Sequence, residues 1–346
     1  MSRKLGKGLE ALEGRRLMTV GVEVVAEDLI VSGTPDGEVA IVSTDQGEFE
    51  IYDDGILVET AEGVSDDIRV NIEGGANTVD RVVLQLNDSE VDRVMLDLGN
   101  GENEVALATG SITGGVRFNG GNGNDSLEIG EQFQIGRGVN AYLRGGDDTF
   151  NLEGDVARSV NVYGGQGDEF ISIGPNSDIG NRLNIRAGSG DNTTLVDGQI
   201  EGSLYYRGGA GDDLVDLLAN SSVAGRANLQ LGGGDNSASI EGSIEGMLRV
   251  RANSGDDELH IGETAILNGT TRLQLGSGDN TIAQEVEMSN RVVADAPVEV
   301  LAPPPVPVTP APTPVPVQAV AEFDPQAFWE EFFSRNFRFS GSASFF

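Results

Sequence analysis

Leu204-Tyr205-Tyr206-Arg207-Gly208-Gly209-Ala210-Gly211-Asp212-Asp213-Leu214-Val215-Asp216-Leu217 is the stretch that decides the fold. Before the Gly-Asp-Asp turn, Leu204, Tyr206 and Gly208 are apolar or small and alternate with Tyr205 and Arg207. After it, Val215 and Leu217 resume the alternation. A period of two on both sides of a turn describes two short strands, each with one buried face. The first strand returns at Leu183, Ile185, Ala187 and at Leu248, Val250, Ala252. The second returns at Leu127 and Ile129, Phe150 and Leu152, Ile171 and Ile173, and Leu259 and Ile261.

Working outward, the turn Gly recurs at Gly101, Gly123, Gly146, Gly167, Gly190, Gly211, Gly234, Gly255 and Gly278, each followed by an acidic or amide pair. The intervals are 22, 23, 21, 23, 21, 23, 21 and 23. A weaker copy at Gly75 with Asn77 makes ten units between about Ile68 and Val286. One further apolar residue closes each unit (Ile135, Val156, Ile179, Ile200, Val223, Ile244, Leu267) and marks a third side. The two extra residues of alternate units lie just before it, as in Asp197-Gly198-Gln199-Ile200 against Leu218-Ala219-Asn220-Ser221-Ser222-Val223. The spacing therefore predicts an all-β chain, a right-handed parallel β-helix or solenoid of about ten rungs of ~22 residues. Its rival, a shallow two-sided β-roll with half-turns of about nine residues, is disfavoured by the unit length.

The ends read differently. Residues 19–67 contain alternating runs broken at Pro35-Asp36-Gly37 and Asp53-Asp54-Gly55, and are expected to form an N-terminal β cap over the first repeat, with further degenerate rungs as the alternative. The repeats occupy 68–290, a Pro-rich linker 291–320, and an aromatic C-terminal segment 321–346 that contains Phe328, Trp329, Phe332 and Phe333. That tail is expected to dock on a partner, a cell-surface polymer or matrix protein, or to fold back over the last rung.

The chain has 346 residues with 49 Gly, 12 Pro, no Cys, one His and a net charge of −34. Such a balance repels phosphate backbones and anionic lipid, so nucleic acid is excluded as a partner and divalent cations are favoured. No apolar run approaches the ~20 residues of a membrane span.

The acidic turns are the candidate chemistry. The residue after the turn Gly is Asp in seven successive units, while the next position alternates from Glu169 onward between Asn and Asp. Two readings stand side by side: Gly-Asx turns that merely close the corner, and carboxylates offering the hard oxygen ligands of Ca²⁺. The candidate ligands are Asp125, Asp147, Asp148, Asp168, Asp212, Asp213, Asp256 and Asp257.

Gly120-Gly121-Asn122-Gly123-Asn124-Asp125-Ser126-Leu127-Glu128 and Gly208-Gly209-Ala210-Gly211-Asp212-Asp213-Leu214-Val215-Asp216 resemble the G-G-x-G-x-D-x-U-x unit of RTX proteins. The resemblance implies Ca²⁺ at Asp125 and Asp213, with Asp148 and Asp257 equivalent. RTX units run in tandem, however, whereas here one copy falls in each rung. Residues 1–18, with Leu9-Glu10-Ala11-Leu12-Glu13-Gly14-Arg15-Arg16-Leu17-Met18, resemble the LEPR-XLL leader of exported planctomycete proteins, which implies a secreted or cell-surface location.

The expected function is that of a non-catalytic extracellular structural or adhesion-type repeat protein, with Ca²⁺ as the one cofactor to test. The alternative is a β-helix polysaccharide lyase or hydrolase acting on acidic glycans. Regular rungs argue against it, because catalytic clefts need irregular loops, and no catalytic residue is assigned. The single His260 falls on an outward strand position between Leu259 and Ile261. Arg207, Arg249, Arg251 and Arg272 form a basic outer face beside the Asp turns, a surface open to uronates but expected to balance neighbouring acids.

Overall fold

A computed structural model describes residues 20–285 apart from 36, 45–46, 75–78 and 88–90, together with 292–294 and 299–301. The LEPR-XLL-like leader, most of the Pro-rich linker, the aromatic segment and the Gly75/Asn77 copy of the turn lie outside the described residues. What is described is all-β, a solenoid of parallel strands in which the nine turns from Gly101 to Gly278 stack one above another. No helix long and apolar enough to cross a membrane is present among the described residues.

Three ladders define the sides. On the first sheet Val160, Leu183, Leu204, Ala227, Leu248 and Thr271 occupy one register position in successive parallel strands. On the second, Leu127, Phe150, Ile171, Thr194, Val215, Ala238, Leu259 and Ile282 do the same. The short third side stacks Ile135, Val156, Ile179, Ile200, Val223, Ile244 and Leu267. All of these residues but Leu267 are buried, so each rung between Val116 and Leu267 adds at least five apolar side chains to one continuous core. At about 1.5–3 kcal/mol per buried large apolar side chain, that burial is what holds the stack, and no rung retains it alone.

The alternation of unit length sits at the corner before the third side. Long corners place Ser177, Ser221 and Ala265 inward, and short corners use the buried Gly154, Gly198 and Gly242. A Cβ on Gly198 would lie 2.7 Å from the carbonyl oxygens of Gly174 and Ser177, so the short corner has no room for a side chain. Both corners return Ile200 and Val223 to the same ladder position.

The segment read as a cap divides into two parts. Strands β1 (Val20–Val25), β2 (Asp28–Gly33), β3 (Glu38–Ser43), β4 (Phe49–Asp53) and β5 (Ile56–Ala61) precede β6 (Asp67–Gly74) and β7 (Val79–Leu86). Here β2 is parallel to β6, with Leu29 beside Ile68 and Val31 beside Val70, and β3 is parallel to β7, with Ile41 beside Leu84. The parallel stack therefore starts at Asp28. Antiparallel strands cover its outer edge, β1 on β2 and β4 on β3, with β5 beyond β4.

Candidate functional site

The two polar residues of each turn point to opposite sides. Every turn Gly from Gly101 to Gly278 has φ between 121° and 141°, a region closed to side-chain-bearing residues. This backbone turns the next residue outward and the one after it into the core. Asp147, Asp168, Asp212 and Asp256 are exposed, whereas Asp125, Asp148, Asp213 and Asp257 are each only 1% exposed. The eight candidate ligands thus form two separate columns, and paired neighbours such as Asp147 and Asp148 do not converge.

Each column is a hydrogen-bonded ladder. In the outer one, the backbone N–H groups of Asp168, Asp191, Asp212, Asp235, Asp256 and Asp279 each donate to Oδ1 of the Asp one rung earlier, at 2.7–3.0 Å. Asn124 starts it by accepting from Asp147 N–H at 2.9 Å. In the inner column the direction reverses. The N–H groups of Asp125, Asn192, Asp213, Asn236 and Asp257 donate to the side chain one rung later, Asp148, Asp213, Asn236, Asp257 and Asn280, at 2.7–3.2 Å. Backbone donors that the turn leaves outside the sheets are satisfied in this way.

The inner alternation has a clear physical basis. Asn192 and Asn236 each donate Nδ2 to the carbonyl of their own turn Gly and to Oδ1 of the next Asp, at 2.7 Å in both latter cases. Asn103 does the same toward Asp125 at 2.6 Å. A neutral amide thus separates buried carboxyls and supplies the donor each one lacks. Between Asn103 and Asn192 this pattern lapses, and Asp125, Asp148 and Glu169 follow one another directly.

Burial, reinforced by neighbouring carboxylates, pushes Asp125 up to about 7, Asp148 to about 6 and Glu169 to about 8. Burial also raises Asp213 and Asp257, against which the amide hydrogen bonds of Asn192 and Asn236 pull down. Asp148 Oδ2, Glu169 Oε2 and Asp257 Oδ2 are buried without a hydrogen-bond partner. Room for the carboxyls comes from the adjacent strand: a Cβ on Gly120, Gly164 or Gly208 would collide with Asp125, Glu169 or Asp213 respectively.

Among the described residues three carboxylates converge at one place the sequence reading did not single out, Asp28, Asp66 and Asp67. Its charge is matched by arginine: Arg69 reaches Asp28 at 2.9 Å and Asp67 at 3.1 Å, and Arg93 reaches Asp67 at 2.8 Å. His260 is partly exposed, with Nε2 3.5 Å from Glu241 of the neighbouring rung. Arg207, Arg249, Arg251 and Arg272 lie on the outer face of the first sheet. Comparison with protein-family models, with curated proteins and with solved structures finds no match to this chain.

Proposed function

We propose that this chain is a non-catalytic extracellular scaffold, a stiff solenoid rod that presents a repeated surface. The observation that carries the reading is the use of the turn carboxylates: both columns serve as ladders that accept backbone N–H groups from neighbouring rungs. The residue types that could have formed an acid-base centre are thereby committed to stacking the rungs. Divalent cations, including Ca²⁺, act on this reading as counter-ions to the outer column. Two unit charges one rung apart repel by roughly 1 kcal/mol in water, and ions in solution relieve that repulsion. The LEPR-XLL-like leader supports export, and the aromatic segment 321–346 supports attachment to a surface.

Small-angle scattering of the full chain tests the rod, and a compact, isotropic particle would refute it. Calorimetric titration tests the cation reading. Weak, non-saturating heats, equal for Ca²⁺ and Mg²⁺, are expected, and a saturable Ca²⁺-specific site would overturn it. Incubation with acidic polysaccharides separates scaffold from lyase or hydrolase, because release of unsaturated or reducing ends would establish catalysis.

A further inference from the structure

The first sheet presents a face whose charge is opposite to that of the protein as a whole. From strand Val116–Asn122 to strand Thr271–Gln274 the outward positions are Arg, Tyr, Asn and Gln, and none is Asp or Glu. Two columns run along it. One carries Arg117, Asn140, Asn161, Asn184, Tyr205, Asn228, Arg249 and Arg272 in register. The other carries Tyr142, Tyr163, Arg186, Arg207, Gln230 and Arg251.

The arginines of this face form no ion pair with a carboxylate among the described residues, which goes against their expected balancing of neighbouring acids and leaves the other reading from the sequence, a surface open to uronates. Among the described residues every ion pair of an arginine with a carboxylate involves Arg69, Arg81 or Arg93, near the N-terminal end. On the face itself Arg117 and Arg186 lie 5.5 Å from the rings of Tyr142 and Tyr163, and those rings stack at 5.0 Å. Arg249 donates to Gln274 at 3.1 Å. Arg186 stands directly beside Arg207, and Arg249 beside Arg272, an arrangement that costs stability unless an anion lies across it.

Arg144 adds a strained backbone. Its φ is 83°, at a register position where the adjoining rung places Gly121. The residue thereby extends the face toward the turns, where its Nε donates to Asn119. Further along, Arg207 and Arg251 overhang a shallow depression of about 470 Å³ floored by Gly208, Gly209 and Gly232.

We infer that this face binds a linear acidic polysaccharide, a polyuronate lying along the solenoid axis. Arginine supplies the planar fork that a sugar carboxylate accepts. The Asn and Gln amides both donate to and accept from hydroxyls, and Tyr offers ring surface to the apolar side of a sugar. Charge density favours a glycan over nucleic acid. Seven Arg on eight strands at ~4.8 Å per strand give on the order of one positive charge per 5 Å, against one negative charge per ~1.7 Å of duplex. The inference rests on the non-catalytic reading and fails separately from it, since binding and cleavage are scored in the same incubation.

The experiment is affinity electrophoresis and calorimetry of the full chain with polygalacturonate, alongside dextran and duplex DNA, over a series of NaCl concentrations. Polygalacturonate should bind best at intermediate salt, where the long-range repulsion of a −34 chain is screened and close contacts persist. The double change Arg207→Gln with Arg251→Gln should weaken it at least tenfold without altering the thermal midpoint by more than a few degrees. Affinity should also rise with oligouronate length. Absence of polyuronate binding at every salt concentration, equal binding of dextran, tighter binding of DNA, or unchanged affinity in the double variant overturns the proposal. So does a double variant whose only change, by sedimentation velocity, is loss of self-association, which would make the face a contact between copies. Cleavage of the polymer would sink the scaffold reading and leave the binding face standing.

Discussion

Replacing Asp148 with Asn should stabilise the protein at high pH and leave it unchanged in acid. Asp148 is buried between two other acids, Asp125 and Glu169, and its carboxyl is pushed from 3.8 up to about 6. Below pH 3.8 both folded and unfolded chains hold the proton, so the group costs nothing. Between 3.8 and 6 the unfolded chain releases it while the folded chain keeps it, and stability falls as pH rises. Above 6 the loss levels off, at about 1.4 kcal/mol per tenfold change in proton affinity, or about 3 kcal/mol in all. The introduced amide would keep the acceptor for Asp125 N–H and would donate to the Gly146 carbonyl, as Asn192 and Asn236 do in their own rungs. Urea unfolding followed by circular dichroism at pH 4 and pH 8 measures the difference, with Asp147→Asn on the exposed column as a control for net charge. A gain of about 3 kcal/mol at pH 8 that vanishes at pH 4 is the expected result. Equal effects at the two pH values, or a loss at pH 8, would refute the reasoning.

Other substitutions test neighbouring parts of the argument. In the wild type, Asp125 at about 7 and Glu169 at about 8 carry the same loss further, so the melting temperature should decline steadily from pH 5 to pH 8. Asn236→Asp removes the donor to Asp257 and places three acids in a row, and urea unfolding should show a loss of about 2–4 kcal/mol at pH 8, mostly recovered at pH 4. Gly211→Ala puts a Cβ at φ 133° against the Gly190 carbonyl, and a fall of at least about 3 kcal/mol in the same assay is expected. Arg144→Gly relieves the positive φ and should raise stability by up to about 1 kcal/mol while weakening polygalacturonate binding, a separation that calorimetry on one sample can record.

The solenoid was legible because its core is periodic: Leu204, Tyr206, Val215, Leu217 and Val223 recur in kind at fixed offsets, and each recurrence is a ladder contact. The first rung is legible only as the less favoured alternative to a cap. Leu29 meets Ile68 across the inserted strands β4 and β5, and such a non-local pairing leaves no repeat signal once the Gly-Asp turn is missing. The sequence separates an Asp column from an alternating Asp and Asn column but was not read as burying the second, although a signal is present. From Asp147 onward only the second position substitutes Asn, and an exposed carboxylate column would have no need of that amide. Gly120, Gly164 and Gly208 were a second signal, since each stands in a strand position that is Leu or Ala in the other rungs and each clears space for a buried acid. The arginines were visible as a group, but whether carboxylates reach them depends on which side of the solenoid each acid faces, and that requires the fold.

The two turn columns and the arginine face are consequences of one geometry. A parallel stack places identical positions about 4.8 Å apart, so any charge repeated once per rung becomes a line of like charges. The chain meets this problem in three ways. On the outer column the charge stays in water and each carboxylate also accepts a backbone N–H, which offsets part of the repulsion. On the inner column, where water is excluded, an amide interrupts the line, and the one stretch without it holds its carboxyls at raised proton affinity. On the first sheet Gln230 interrupts the arginines of one column, yet the Arg186–Arg207 and Arg249–Arg272 neighbours remain in a chain with 56 acidic residues available to pair with them. Internal balance would have placed Asp or Glu in the adjoining rung, as Asp67 is placed beside Arg93. Its exclusion from eight successive strands is the pattern expected of a surface whose counter-charge arrives on another molecule.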